Sequence, residues 1–233
     1  MKPSMKRNDI LFSLIVILFF VPFFVSDELF STYEQFNSEH GMIMSFIKFA
    51  LLATLGETIG LRIKSGHYWT SGFGLVPRAL VWGVLGLTIK LSFIIFTSGT
   101  IEFLAFMGMD HPAEIYQGGF TLQKLFIAFC ISFAMNTIFG PFMMTMHKIT
   151  DMHIQMTGGT IKGFFTPIDF AVILKNLNWD VQWNFVFKKT IPFFWYPAHT
   201  ITFMLAAQYQ VLFAAFLSIA LGLILAIASL KSR

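Results

Sequence analysis

Ionisable residues inside long apolar stretches are the candidates for chemistry in this sequence. Lys48 and Glu57 lie in one such stretch, Arg78 opens the next, Lys90 lies within it, and His199 lies in a later one. A charged side chain is costly in hydrocarbon, so it usually faces a bundle interior or a water-filled cavity. The chemistry that these residue types support is the binding or passage of polar solutes.

Glu57 and Arg78 form the first predicted pair. Glu57 lies near the end of an apolar segment at 42–61, and Arg78 begins the following segment at 78–98 on the same side of the membrane. Their positions predict a Glu57–Arg78 ion pair. The alternative is that Glu57 reaches the membrane interface or pairs with Arg62.

Three lysines lie toward the opposite side. With a rise of 1.5 Å per residue, Lys48 and Lys90 lie about 9 and 12 Å deep, and Lys124 begins a later apolar segment from the same side. If the three ammonium groups share one cavity, they will attract an anion. The alternative is that their stems extend to the headgroups.

Three uncharged polar positions complete the candidates. Thr202 can bond back to a helical carbonyl or across to a neighbouring helix. His199 is either a titrating gate or a hydrogen-bond donor between helices, and Asn136 is expected to join helices. The candidates for a polar path are therefore Lys48, Glu57, Arg78, Lys90, Asn136, His199 and Thr202.

Signatures of enzymes and cofactor sites are absent from the sequence. It contains no G-x-S-x-G, no H-E-x-x-H and no Walker loop. Cys130 is the single cysteine, so an internal disulfide and zinc-type cysteine spacing are excluded. An enzyme would need a convergent set such as Glu57, His147, Asp151 and His199. The sequence predicts no enzyme, no cofactor and no metal site.

The elements that must position these residues are membrane helices. The chain has 233 residues, of which 56% are hydrophobic and only 12% charged, and this composition is typical of membrane proteins. We predict an all-α, polytopic membrane helix bundle in a single domain. A segment at about 163–190 is expected to be interfacial or re-entrant. The predicted spans are 10–25, 42–61, 78–98, 122–146, 193–207 and 211–229.

The distribution of basic residues predicts the topology. With six spans, 13 of the 16 Lys and Arg fall on one side, so both termini are expected in the cytoplasm. The basic start and short apolar run resemble an uncleaved anchor, which favours the bacterial inner (plasma) membrane. The lipid bilayer is the expected partner and nucleic acid is not; a homo-oligomer or a partner subunit stays open. The expected interface anchors are Trp179, Trp183, Trp195 and Tyr196.

The C-terminal forty residues resemble a known family. Trp195, Pro197 and Thr202-Phe203 are similar to the W-P and N-F positions in the tail of the Mpv-seventeen or twenty-two-kilodalton peroxisomal membrane protein family, although Gln210 stands where that family has Arg. Gly56-Glu57-Thr58-Ile59-Gly60 is similar to its G-D-x-I-x-Q motif. Gly140-Pro141 with His147 and Asp151 resembles its G-P-x-x-H-x-W-Y-x-x-L-D motif.

The resemblance implies a weakly selective pore, because members of that family are implicated as pores in organelle membranes. The sequence therefore predicts a small pore or transporter-like protein for small solutes or anions. Two alternatives stay open: a substrate-binding membrane subunit of a larger transporter, and a non-transport membrane assembly factor.

Overall fold

The fold is an all-α helical bundle. A computed structural model describes residues 7–231, with side chains described for residues 7–224. Helix makes up 84% of the structure, and the described residues contain no strand. The predicted placement of the two chain ends concerns residues 1–6 and 232–233, which lie outside the described residues.

The chain divides into two compact units, residues Met1–Met44 and Ser45–Arg233. The residues of the candidate site all lie in the second unit. In chain order the helices are α1 (Arg7–Phe20), α2 (Pro22–Val25), α3 (Asp27–Glu39), α4 (Gly41–Ser65), α5 (Leu75–Phe106), α6 (Pro112–Gln117), α7 (Leu122–Met156), α8 (Ile161–Phe164), α9 (Phe170–Asn176), α10 (Trp179–Val181), the π-helix (Gln182–Trp195), α11 (Tyr196–Met204) and α12 (Ala207–Lys231).

Five helical segments in the described part of the chain are long and apolar enough to cross a membrane. These segments overlap the first four predicted spans and the sixth predicted span. The five segments are Arg7–Val25, Gly41–Ser65, Leu75–Phe106, Leu122–Met156 and Ala207–Ile224. The chain is thus compatible with a multi-pass integral membrane protein.

The fifth predicted span, 193–207, is not among these segments. Its helical run begins at Trp179, continues through the π-helix and ends at Met204. The start is set by Asn178, whose Oδ1 accepts a hydrogen bond from the Val181 amide at 3.0 Å, as a helix N-cap does. The last part of the predicted interfacial segment therefore belongs to this helical run.

Helix α7 is also longer than predicted. The sequence places its end at Met146, where polar residues begin, but the helix continues to Met156. It stops at two glycines with positive φ, Gly158 and Gly159, and the Gly159 amide donates to the Ile154 carbonyl at 2.8 Å. This is the usual geometry of a helix C-terminus. The polar residues after Met146 therefore lie on a helix, with one face turned into the bundle.

Helices α4 and α5 approach closely through a glycine. A Cβ atom at Gly86 would lie 2.6 Å from the Ser45 carbonyl oxygen and 2.8 Å from Cβ of Phe49. Small residues allow this close backbone approach between membrane helices. The packing around Phe49, which is 1% exposed, depends on it.

We expect Gly86→Ala to destabilise the bundle. Gly99, on the same helix, has open space at its Cβ position, so Gly99→Ala is a matched control in which any gain in helix propensity is shared. Overpacking costs about 1–3 kcal/mol, so the free energy of unfolding of Gly86→Ala should lie below that of Gly99→Ala by this amount. Unfolding in detergent measures the difference, and equal values would contradict the close packing.

Candidate functional site

A buried ion-pair network joins α4, α5 and α7. The Arg78 Nη1 donates to Glu57 Oε2 at 2.6 Å and also to Asp151 Oδ1. The Arg78 Nε donates to the Phe73 carbonyl at 2.7 Å, and the guanidinium lies over the Phe73 ring. The structure confirms the predicted Glu57–Arg78 ion pair and adds a second carboxylate.

Two aromatic side chains complete the network on the other oxygen of Glu57. The Trp82 Nε1 donates to Glu57 Oε1 at 2.9 Å, and His147 Nε2 lies 3.1 Å from the same oxygen. His147 Nε2 is also 4.0 Å from Asp151 Oδ1. Two carboxylates face one guanidinium, so the formal charges balance when the imidazole is protonated. The network thus provides a place where a proton on the imidazole is electrostatically favourable.

The spacing of these residues on their helices explains how they converge. Arg78 and Trp82 are four residues apart on α5, and His147 and Asp151 are four residues apart on α7, so each pair shares one helix face. The sequence placed His147 and Asp151 in a loop because α7 was predicted to end too early. Trp82 was missed, although its position four residues after Arg78 could have indicated it.

The network also presents three potential metal ligands. Ligand atoms of Glu57, His147 and Asp151 lie within 4.8 Å of one another. However, Glu57 Oε1 already accepts from Trp82, and Asp151 Oδ1 already accepts from Arg78. The Arg78 guanidinium would also repel a bound cation at this distance. The arrangement fits a set of ion pairs better than it fits a metal centre.

A cavity of about 790 Å³ lies against this network. Its wall includes the network residues, the loop at 70–73, Gln182 of the π-helix and Gly222 of α12. Lys64 and Lys148 also line it, and both are exposed. Its mouth therefore lies where α4 ends and α5 begins, the end predicted to be cytoplasmic. The volume falls in the range of about 300–1,000 Å³ that is typical of small-molecule sites.

A second, much smaller chamber of about 30 Å³ lies behind the main cavity. Met143, Met144, Trp195 and Ser218 line both spaces, so the chamber adjoins the cavity. The other polar residues in its wall are Asn136 and His199. Asn136 precedes His147 on α7, and His199 on α11 follows Trp195, the last residue of the π-helix. The chamber therefore lies deeper in the bundle than the network.

Beyond the chamber, two buried phenylalanines, called the aromatic layer below, pack against each other. Phe203 is fully buried and Phe93 is 3% exposed, with their ring centroids 5.0 Å apart. The Phe93 ring also contacts His199 edge-on, at a centroid distance of 5.6 Å. Both phenylalanines lie further along their helices than the residues of the chamber. They therefore lie between the chamber and the opposite end of the bundle.

The three lysines that the sequence placed near the opposite side do not share one cavity. Lys48 is buried and Lys90 is partly buried. Lys124 instead donates to the Gly118 carbonyl at 2.7 Å and lies over the Tyr116 ring. Neither Lys48 nor Lys90 lines the main cavity or the chamber. Lys124 is thus held by its own connecting loop, so the condition for an anion site, one cavity shared by all three lysines, is not met among the described residues.

The uncharged candidates have mixed outcomes. Thr202 donates to the Ala198 carbonyl at 3.0 Å, as predicted. Asn136 bonds within its own helix, to the carbonyl and hydroxyl oxygens of Ser132, so the predicted link between helices is wrong. His199 is 6% exposed, and its Nδ1 has no hydrogen-bond partner among the described residues. It lines the chamber instead of bridging helices through that nitrogen.

The predicted interface anchors fall into two groups. Trp179 and Trp183 are 45% and 56% exposed, which fits an interfacial position. Trp195 is only 7% exposed and lines both the cavity and the chamber, so its prediction as an anchor is wrong. Tyr196 is partly buried, and its hydroxyl bonds to Thr137 at 2.8 Å. Both residues lie inside the bundle and not at its edge because the helical run starts at Trp179, well before them.

Comparison with protein-family models, with curated proteins and with solved structures gave no match.

Proposed function

We propose that this chain is a small membrane transport protein that takes up small solutes through the main cavity. The observation that carries the proposal is the cavity itself, which enters the bundle from one end, has a charged wall and continues into a polar chamber. Charged and polar side chains inside a membrane bundle cost free energy unless polar molecules solvate them. A purely structural bundle would have no need of it.

The shape favours a transporter-like mechanism over a permanently open pore. The cavity has exposed residues at its mouth, whereas the layer containing Phe93 and Phe203 closes the path beyond the chamber. A solute could enter from one side and would need a rearrangement of this layer to leave on the other. The π-helix, which forms part of the cavity wall, is a type of helix that is often found at functional sites.

We also propose that the chain is a distant relative of the Mpv-seventeen family and resides in a bacterial inner membrane. Glu57, His147 and Asp151, which belong to two separate motifs resembling that family, meet in one network. Their convergence supports the resemblance. We propose no catalytic role for the network, and a homo-oligomer or a partner subunit stays open.

Filling the cavity tests the proposed function. Val186 lines the cavity, whereas nearby Val181 does not and is 48% exposed. In liposomes with a solute gradient, we expect Val186→Trp to lower flux by on the order of tenfold, because the indole would occupy the entry path. Val181→Trp is the matched control and should leave flux unchanged.

The panel of solutes should include an uncharged molecule and several anions. Equal flux in wild type and Val186→Trp would show that the cavity is not on the path. No flux of any solute from folded, oriented protein would overturn the autonomous transporter. Solute binding without flux would instead favour the substrate-binding subunit of a larger assembly.

A further inference from the structure

We infer that this protein moves a proton together with each solute molecule, and that His147 is the residue that carries the proton. The inference rests on the proposed function and adds a second substrate, H⁺, to the transport reaction. The observations that carry it are the contacts of His147 within the ion-pair network and its position in the wall of the main cavity.

The contacts of His147 suit a protonated imidazole. Its Nε2 lies 3.1 Å from Glu57 Oε1 and 4.0 Å from Asp151 Oδ1, and the Trp82 ring lies against it with a centroid distance of 4.3 Å. Both ring nitrogens of an imidazolium carry a proton, so Nε2 can donate to Glu57 whichever nitrogen holds the proton in the neutral ring. The geometry therefore supports the charged form without a choice of tautomer.

The His147 ring is also within reach of water. Its side chain is 23% exposed and lines the main cavity. The exposed residues Lys64 and Lys148 line the same cavity, so the space opens to solvent at that end. Water in the cavity can therefore deliver one proton to the imidazole and later remove it. No other bond forms or breaks in this step.

The charges that face His147 come from three helices. Glu57 on α4, Arg78 on α5 and Asp151 on α7 lie in the network itself. Lys64 and Lys148 are exposed, so water weakens their effect on the imidazole. The π-helix, α12 and the loop at 70–73 contribute only uncharged residues to the described wall. The network therefore has one net negative charge with a neutral imidazole and none with an imidazolium.

This charge balance explains why the proton and the solute move together. The layer of Phe93 and Phe203 must rearrange before a solute can leave on the other side. An uncompensated charge inside a membrane bundle costs more free energy than a neutral set, so the protonated network favours the rearrangement. The cavity of about 790 Å³ has His147 in its wall, which leaves room for a solute beside the ring. The two substrates can therefore be bound at the same time.

Coupled movement of protons and solute in liposomes tests the inference. The solutes are glycerol, chloride and sulfate, none of which titrates near neutral pH, and a trapped pH-sensitive dye reports the protons. The membrane potential is held at zero, and protein-free liposomes give the passive leak. In wild type, inward solute movement should acidify the interior. An acid-outside gradient of one pH unit should accumulate the transported solute about tenfold, the ratio that one proton per solute supports.

His147→Gln should separate the two substrates. The glutamine amide can still donate to Glu57 but cannot carry a proton, so solute should move only down its own gradient, without acidification or accumulation. His67→Gln is the matched control, because His67 is exposed and does not line the cavity. This control should behave as wild type. Thermal unfolding in detergent shows whether each variant is folded.

The outcomes distinguish this inference from the proposed function. Solute flux in wild type without acidification overturns the proton coupling and leaves the transport function intact. Acidification that persists in a folded His147→Gln shows that another group carries the proton, and it also overturns the inference. No flux of any of the three solutes from folded, oriented protein overturns the transport function and the coupling together. The wild-type measurement needs no variant, so a misfolded His147→Gln does not remove the test.

Discussion

Arg78→Met is expected to destabilise the bundle by about 3–5 kcal/mol, because it leaves two partly buried carboxylates without their cation. Arg78 is the group that contacts both Glu57 and Asp151, and its side chain is 7% exposed. Lys at this position would keep the charge but not the forked geometry that reaches two carboxylates and the Phe73 carbonyl, so Arg78→Lys should recover only part of the loss. Unfolding of the purified variants in mixed micelles measures the effect.

A neutral network is the control for Arg78. The triple change Glu57→Gln, Arg78→Met and Asp151→Asn removes all three charges together, and it should be more stable than Arg78→Met alone. This reversal distinguishes a charge imbalance from a simple loss of packing. A free energy of unfolding for Arg78→Met within about 0.5 kcal/mol of wild type would contradict the network, since changes of that size are typical of exposed sites.

The second large effect is expected for Phe203→Ala. Phe203 is fully buried in the aromatic layer, and truncating a buried phenylalanine costs about 3–5 kcal/mol. The space left beside Phe93 and His199 would also connect the chamber toward the opposite end of the bundle. We therefore expect a less stable protein that leaks small solutes continuously when reconstituted in liposomes.

Phe193→Ala provides the control for the aromatic layer. Phe193 belongs to the same helical run but is 81% exposed, so its loss should change neither stability nor leakage appreciably. If Phe203→Ala lowers stability without any leak, the layer is ordinary packing and the path is closed elsewhere. If both variants leak equally, the leak reflects general disturbance of the bundle.

Most of the fold could be predicted from the sequence because the signal for membrane helices is local. A run of apolar residues identifies a span by itself, as at Gly41–Ser65 and Leu75–Phe106. The helix ends were harder, because a polar face can continue a helix inside a bundle. For this reason the sequence predicted the end of α7 at Met146, although the helix continues past His147 and Asp151.

The candidate site was less predictable because it depends on contacts between helices. Glu57 and Arg78 could be paired from their depth alone. To predict that Asp151 joins this pair, one must know which face of α7 points into the bundle. To predict that Trp195 points inward, one must know that its helical run starts at Trp179. Gln182 gave no sequence signal as a cavity residue, since a glutamine between two tryptophans is equally typical of a membrane interface.

The order of the network residues along the chain has a consequence for biogenesis. Glu57 is synthesised first, Arg78 follows on the next helix, and Asp151 comes much later. Helices α4 and α5 can therefore enter the bilayer with Glu57 and Arg78 already paired, so that neither of these two charges is left alone in hydrocarbon. The arrival of α7 then adds a carboxylate together with the histidine four residues before it, which can carry the compensating proton. A truncated chain that ends before α7 should accordingly insert with α4 and α5 already paired, whereas one that ends before α5 would leave Glu57 without its cation.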